Sequence, residues 1–200
     1  MGEFKQAKVL NNTQQKVIYD YLLTTTNPIR NVVIFYLSSK AGLRAIEIAS
    51  LQWNMVTDAE GNLTDYISLP NSATKGQSGG RSIPIHKQLK SYLEILLEEQ
   101  RKFKYFNPST SFVITTQRSP FTSAQSIVNM FQRWYKRIGM IGCSSHSGRR
   151  TFITNCSRKI STVGGSLRDV QYLSGHSSLQ TTQRYIEGDS ESKRKVVELI

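Results

Sequence analysis

Four short stretches carry side chains able to act on a phosphate. Arg44 and Glu47 stand three residues apart at the start of a helical segment, so both project from one face. The guanidinium can clamp an anion while the carboxylate orients its fork, or the two can form an ordinary surface ion pair. Lys75 lies in Thr-Lys-Gly-Gln-Ser-Gly-Gly between two strand candidates. A lysine in a solvated loop is commonplace, yet a glycine-rich hairpin can carry an ammonium to a leaving oxygen and protonate it. His146 and Arg149, again three apart, open another helix, where N–H groups without intrahelical partners form an anion site. A capping histidine beside a surface arginine is the plainer alternative. Gly175 to Tyr185 reads Gly-His-Ser-Ser-Leu-Gln-Thr-Thr-Gln-Arg-Tyr, with the imidazole of His176 nine residues before the phenol of Tyr185. A phenol has a pKa of about 10, so about a thousandth is ionised at neutral pH. Tyr185, one of nine tyrosines, can attack phosphorus only with cationic neighbours and a base.

Other phosphate chemistries find less support. A metal-dependent nuclease needs clustered carboxylates, and between Arg101 and Tyr185 the only acid is Asp169. Cys143 with His146 makes a C-x2-H pair that lacks a second pair, which argues against zinc. The G-x4-G-K-[ST] phosphate loop is absent, so nucleoside triphosphate hydrolysis is unsupported. No metal site and no cofactor are expected.

The elements that must position these residues follow from periodicity. Asn12 with Gln15 has capping-box spacing ahead of a helix marked by Val17, Ile18, Tyr21 and Leu22. A second, strongly apolar helix runs from Ile29 to Lys40 and a short third from Leu43 to Leu51. The period then becomes two: Trp53–Val56, Tyr66–Leu69 and Arg81–Ile85 are strand candidates. Helix returns over about 86–102, follows a brief strand at Phe112–Ile114 over 123–138, and recurs over 146–158, 167–174 and from Ser177 or Ser178 to Tyr185. Ser190 can cap a charged terminal helix. The expected fold class is α+β, mostly helical, with a three-stranded antiparallel sheet in a single domain. Residues 1–11 read as a leader or linker remnant, 12–188 as the domain and 189–200 as a helical tail.

Charge points to a polyanion. The 200 residues carry a net charge of +12. Residues 1–100 hold ten basic side chains against nine acidic ones, whereas residues 101–200 hold sixteen against five. A merely soluble basic surface fits the total but not this imbalance. Nucleic acid is favoured over membrane, because no basic amphipathic segment with an aromatic-rich face stands out. No apolar run approaches the ~20 residues that span a bilayer, the start lacks the apolar core of a secretory signal, and two cysteines are too few for a disulfide framework. A reducing intracellular compartment is the expectation.

Taken together, these stretches resemble the tyrosine recombinase (phage integrase) family over about residues 29–188. Ala41-Gly42-Leu43-Arg44-Ala45-Ile46-Glu47 is similar to its first arginine box, and Lys75 is similar in place to its mobile lysine. Ser145-His146-Ser147-Gly148-Arg149-Arg150-Thr151-Phe152 resembles its H-x-x-R box, and Leu173-Ser174-Gly175-His176-Ser177-Ser178 with Tyr185 resembles its terminal box. Each motif alone is weak; their order and spacing are specific. Many members have leucine where Gly148 stands. Members usually carry an N-terminal helical domain that grips the duplex, and only about 28 residues precede the first matching helix, so a catalytic fragment, or a member without its clamp, is expected.

The resemblance implies metal- and nucleotide-independent DNA strand cleavage and rejoining through a 3′-phosphotyrosyl link. Arg44 and Arg149 would hold the scissile phosphate, with Glu47 in support. His146 would move a proton or bond the phosphate, His176 would stabilise a non-bridging oxygen, Lys75 would protonate the leaving 5′-oxygen, and Tyr185 would attack. Arg81, Arg150 and Arg184 are candidate DNA backbone contacts. Implied partners are double-stranded recombination sites and three further copies of the chain, with a monomer away from DNA. The tail would dock through Val196, Val197 and Ile200 on a neighbour or on its own domain. A bacterial, phage or mobile-element protein acting at the nucleoid is expected. Relaxation or resolution of a single duplex by related chemistry, and a non-cleaving DNA-binding module, are the rival functions. The sequence leaves open whether Tyr185 serves its own subunit or a partner's.

Overall fold

The computed structural model describes residues 7–71, 80–117, 119–185 and 197–198. Lys75 lies outside them, as do Val196, Ile200 and most of the expected tail. The chain divides into two units, Met1–Phe152 and Ile153–Ile200.

In the first unit, α1 (Asn12–Leu23) is capped by Asn11. The Asn11 side chain accepts from the Gln14 amide at 2.8 Å, and Gln14 Oε1 accepts from the Asn11 amide at 3.0 Å. The reciprocal cap thus sits one residue before the expected Asn12/Gln15 pair. Gln15 instead donates to the Leu10 carbonyl at 3.1 Å. Helix α2 (Pro28–Ser39) begins with proline, whose missing N–H would have no helical partner there. Every residue from Asn31 to Ser39 is buried, the mark of a helix enclosed on all sides. Val32, Val33, Ile34, Phe35 and Leu37 are fully buried, each contributing roughly 1.5–3 kcal/mol through removal from water. Around α2 pack α1, α3 (Ala45–Ser50) and α4 (Lys87–Arg101); α5 (Ala124–Arg137) packs on α1 and α3.

Strands β1 (Tyr66–Leu69) and β2 (Arg81–Pro84) are antiparallel, with Leu69 opposite Arg81 and Ile67 opposite Ile83. Among the described residues the sheet has two strands, not the expected three. Trp53–Met55 forms a 3-10 turn instead. Its cause is the indole: Trp53 Nε1 donates to Gln100 Oε1 at 2.9 Å, and Gln100 Nε2 donates to the Val113 carbonyl at 2.9 Å. With Trp53 anchored inward, strand pairing shrinks to isolated bridges, Gln52 with Phe112 and Thr57 with Leu63. The strand expected at Phe112–Ile114 survives only as the first of these.

The unit boundary falls within α6 (Ser145–Lys159). Its first half belongs to the first unit and is held by residues before α1. The Leu10 amide donates to Thr151 Oγ1 at 2.8 Å, Thr151 donates to the Ser147 carbonyl at 2.7 Å, and Leu10 is 2 % exposed. Leu10 is therefore packed with the first unit. Gly148 is where α6 meets α2. A β-carbon there would lie 2.5 Å from Ser38 Oγ, 3.0 Å from Ser38 Cβ and 3.3 Å from the Ser39 amide nitrogen. Leucine, common at this place in the resembled family, has no room.

In the second unit, Ser166 opens α7 (Leu167–Ser174), its amide and hydroxyl donating to Asp169 at 2.7 and 2.8 Å. Helix α7 packs against α8 (Leu179–Gln183) and the turn Ile160–Val163.

Candidate active site

Arg44 is the N-cap of α3, and Glu47, one turn on, turns back to it. Glu47 Oε2 accepts from the Arg44 amide at 2.7 Å, and Oε1 accepts from Arg44 Nη1 at 2.9 Å. The spacing predicted this pairing. The burial is what the sequence did not show: the Glu47 side chain is 0 % exposed, while that of Arg44 remains 23 % exposed. Burial alone would push the Glu47 carboxyl up. Hydrogen bonds and charge from Arg81, and then from Arg44, outweigh it and hold the carboxyl below its ordinary range.

Arg81 corrects an expectation. A DNA backbone contact requires exposure, yet its side chain is 2 % exposed, and its two terminal nitrogens reach the two Glu47 oxygens at 3.0 Å each. The strand alternation dictates this. Arg81 shares parity with Ile83, so it shares the buried face.

Arg149 sits on the first turns of α6, 6 % exposed, and Nη1 donates to the Gly42 carbonyl. Gly42 lies two residues before Arg44, so one backbone turn serves both arginines. His146, one turn before Arg149, is exposed, and its amide donates to Ser144 Oγ at 3.3 Å. Arg150 is half-buried.

The second unit holds His176 and Tyr185. Helix α7 ends at Gly175, whose φ of 59° is left-handed and suited to glycine. His176 follows immediately and is bracketed by Gln171: the His176 amide donates to the Gln171 carbonyl at 3.2 Å, and Gln171 Nε2 donates to the His176 carbonyl at 3.1 Å. The ring is fixed by Thr182, whose Oγ1 lies 2.9 Å from Nδ1 and which is fully buried. Helix α8 then returns the chain, so that Tyr185 stacks on His176 with centroids 5.6 Å apart and planes 24° apart. Arg184, at the α8 C-cap, is exposed. Gln171 and Thr182 were not singled out in the sequence. Neither carries a distinctive signal, and Thr182 is identified only once α8 folds back on His176.

Among the described residues, no group of three or more His, Cys, Asp or Glu side chains is placed to hold a metal ion. None of their helices is long and apolar enough to cross a membrane. A cleft of about 460 Å³, walled by Tyr19, Tyr36 and Tyr92, contains none of the candidate residues.

Comparison with known proteins shows the family of the chain and the similarity of its fold. The sequence model of the phage integrase family matches residues 8–192. The chain is 28 % identical over 157 residues to the tyrosine recombinase XerC of Proteus mirabilis, covering 78 % of this chain and 47 % of that protein. It spans about half the length of the curated relatives it matches. Its fold is similar to the crystal structure of XerA recombinase, with a TM-score of 0.75 at 20 % identity, covering 96 % of this chain and 64 % of that one. It is similar also to the XerH site-specific recombinase bound to a palindromic difH substrate after cleavage, with a TM-score of 0.73 at 18 % identity, covering 94 % and 51 %.

Proposed function

The chain belongs to the phage integrase family, and we propose that it is the strand-cleaving part of a site-specific DNA recombinase. The observation that carries this reading is the stack of Tyr185 on His176. It holds a phenol beside a polar ring, in a chain whose other unit presents Arg44 and Arg149 around one backbone turn.

In this reading Arg44 and Arg149 take the non-bridging oxygens of the scissile phosphate, where planar forks match developing charge better than an ammonium. His176 hydrogen-bonds one of these oxygens, and His146 assists proton transfer. Tyr185 Oη gives up its proton, with His146 as the acceptor, and bonds to phosphorus as the bond from phosphorus to the 5′-oxygen breaks. The 5′-oxygen takes a proton from Lys75 and leaves as a hydroxyl. A 5′-hydroxyl from a second strand then reverses the exchange and frees Tyr185. One phosphodiester replaces another, so the energy of the bond is conserved and no nucleotide is consumed. Arg150 and Arg184 contact flanking phosphates. Exchange between two sites requires four copies on DNA, and the protein acts at the nucleoid of a bacterium or on a phage or mobile element.

A nicked suicide duplex tests the reading. The chain should form a covalent adduct without added metal or nucleotide, and Tyr185→Phe should form none. An adduct that survives Tyr185→Phe would remove the assignment of the nucleophile; no adduct under conditions of confirmed binding would remove the function. Affinity for the duplex should also fall with salt, with a logarithmic slope of about −0.9 per phosphate neutralised.

A further inference from the structure

One carboxylate organises two arginines of opposite exposure. Among the described residues Glu47 accepts four hydrogen bonds: from the Arg44 amide, from Arg44 Nη1, and from the two terminal nitrogens of Arg81. Four donors match the acceptor sites of an ionised carboxylate. The Arg81 side chain is 2 % exposed and the Arg44 side chain 23 %. The inward arginine can touch no DNA, whereas the outward one can.

We propose that Arg81 is a positioning residue for strand cleavage. Acting through Glu47, it fixes the direction of the Arg44 fork and keeps the charge of that fork available. Two physical effects support this. The fork of Arg81 holds both Glu47 oxygens from β2, so the carboxylate cannot rotate about its own axis, and Arg44 Nη1 is held with it. Arg81 also neutralises Glu47. With it the triad carries a net positive charge; without it, Arg44 and Glu47 would cancel and the phosphate would meet a neutral pair. The proposal rests on the reading of Arg44 as a phosphate ligand.

The test compares Arg81→Gln, Arg81→Lys, Glu47→Gln and the double variant Arg81→Gln/Glu47→Gln, all in the full chain. Adduct formation at saturating nicked duplex is measured beside thermal unfolding. The Nε–H resonance of Arg44, assigned with Arg44→Lys, is followed by NMR. Arg81→Gln should slow cleavage about 10²-fold, the scale of a small misplacement of a reacting group, and should broaden or shift the Arg44 signal. Arg81→Lys should recover part of the rate, since it restores the charge but not the fork. The double variant should be no slower than Glu47→Gln alone, because the two residues act in series. Wild-type rate in a folded Arg81→Gln overturns the proposal, as does an unchanged Arg44 signal or a loss that multiplies with that of Glu47→Gln. Should Arg81→Gln fail to fold, Arg81→Lys and the double variant, which buries no unpaired charge, decide the matter. Absence of adduct from the wild-type chain would overturn the recombinase reading instead, and the Arg44 resonance would still decide whether Arg81 positions it.

Discussion

Tyr185 lies over the imidazole of His176 of the same chain, ring centroids 5.6 Å apart. The linking segment contains α8, one and a half turns closed by the Ser178 cap, whose Oγ accepts from the Thr181 amide at 3.4 Å. It leaves the phenol beside its own subunit's histidine rather than extended towards another. Cleavage in cis is the expected outcome. A mixture of His176→Ala and Tyr185→Phe chains should form adduct no faster than His176→Ala alone. Full complementation would show that the tyrosine is donated between subunits.

Thr182→Val should slow cleavage without unfolding the chain. The substitution keeps the shape of a fully buried side chain and removes the hydroxyl that pairs with His176 Nδ1. A hydrogen bond of this kind is worth about 0.5–1.5 kcal/mol, so the adduct rate should fall up to about tenfold while the melting temperature changes little. Thr182→Ser should restore most of the rate. A rate unchanged by Thr182→Val would mean that the ring needs no such anchor.

Gly148→Leu should destabilise the chain. Overfilling a packed contact costs about 1–3 kcal/mol, measurable as a lower denaturant midpoint. Ser38→Ala in the same background should relieve little, because Ser38 Cβ and the Ser39 amide also crowd the site. Ser38→Ala alone should be neutral or stabilising, since its buried hydroxyl has no hydrogen-bond partner.

Glu47 should impose a pH dependence on stability. Its carboxyl is held below its ordinary range in the folded chain, so the folded state binds this proton less readily than the unfolded state. The stabilisation is complete above the ordinary glutamate pKa of about 4.3 and is lost as pH falls through the lower folded value. Glu47→Gln should therefore cost roughly 3–5 kcal/mol at pH 7, the scale of breaking a buried pair. The gap between variant and wild type should narrow in urea titrations below about pH 4. A gap independent of pH would exclude Glu47 as the titrating group.

Losing either arginine of the proposed phosphate clamp should be severe. Arg44→Ala and Arg149→Ala should each slow adduct formation by about 10³-fold or more, the scale at which arginine supports a phosphoryl transition state. Unaltered rates in single-turnover assays would dismiss the clamp.

Much of this was legible because short-range rules governed it. The apolar run of α2, the i, i+3 pairing of Arg44 with Glu47, and the helix start at Ser178 all depend on neighbours within a turn. The failures involve longer reach. Trp53 reads as strand from its neighbours, but a contact 47 residues away with Gln100 turns it into a 3-10 segment. The cap of α1 slipped to Asn11 because two overlapping pairs have identical spacing. Arg81 is instructive in the other direction. Its parity with Ile83 was visible, yet a charged side chain on a buried face is credible only once Glu47 is found opposite, 34 residues earlier in the chain.

The bond from Leu10 to Thr151 has a mechanical meaning. The chain entering α1 is fastened to the helix that carries His146 and Arg149. Tension applied from the amino-terminal side would reach that helix at Leu10, whose amide bonds the Thr151 hydroxyl while its side chain sits in the core. Leu10 acts as a strap, and a pull transmitted through it would load the helix of His146 and Arg149 together with the core.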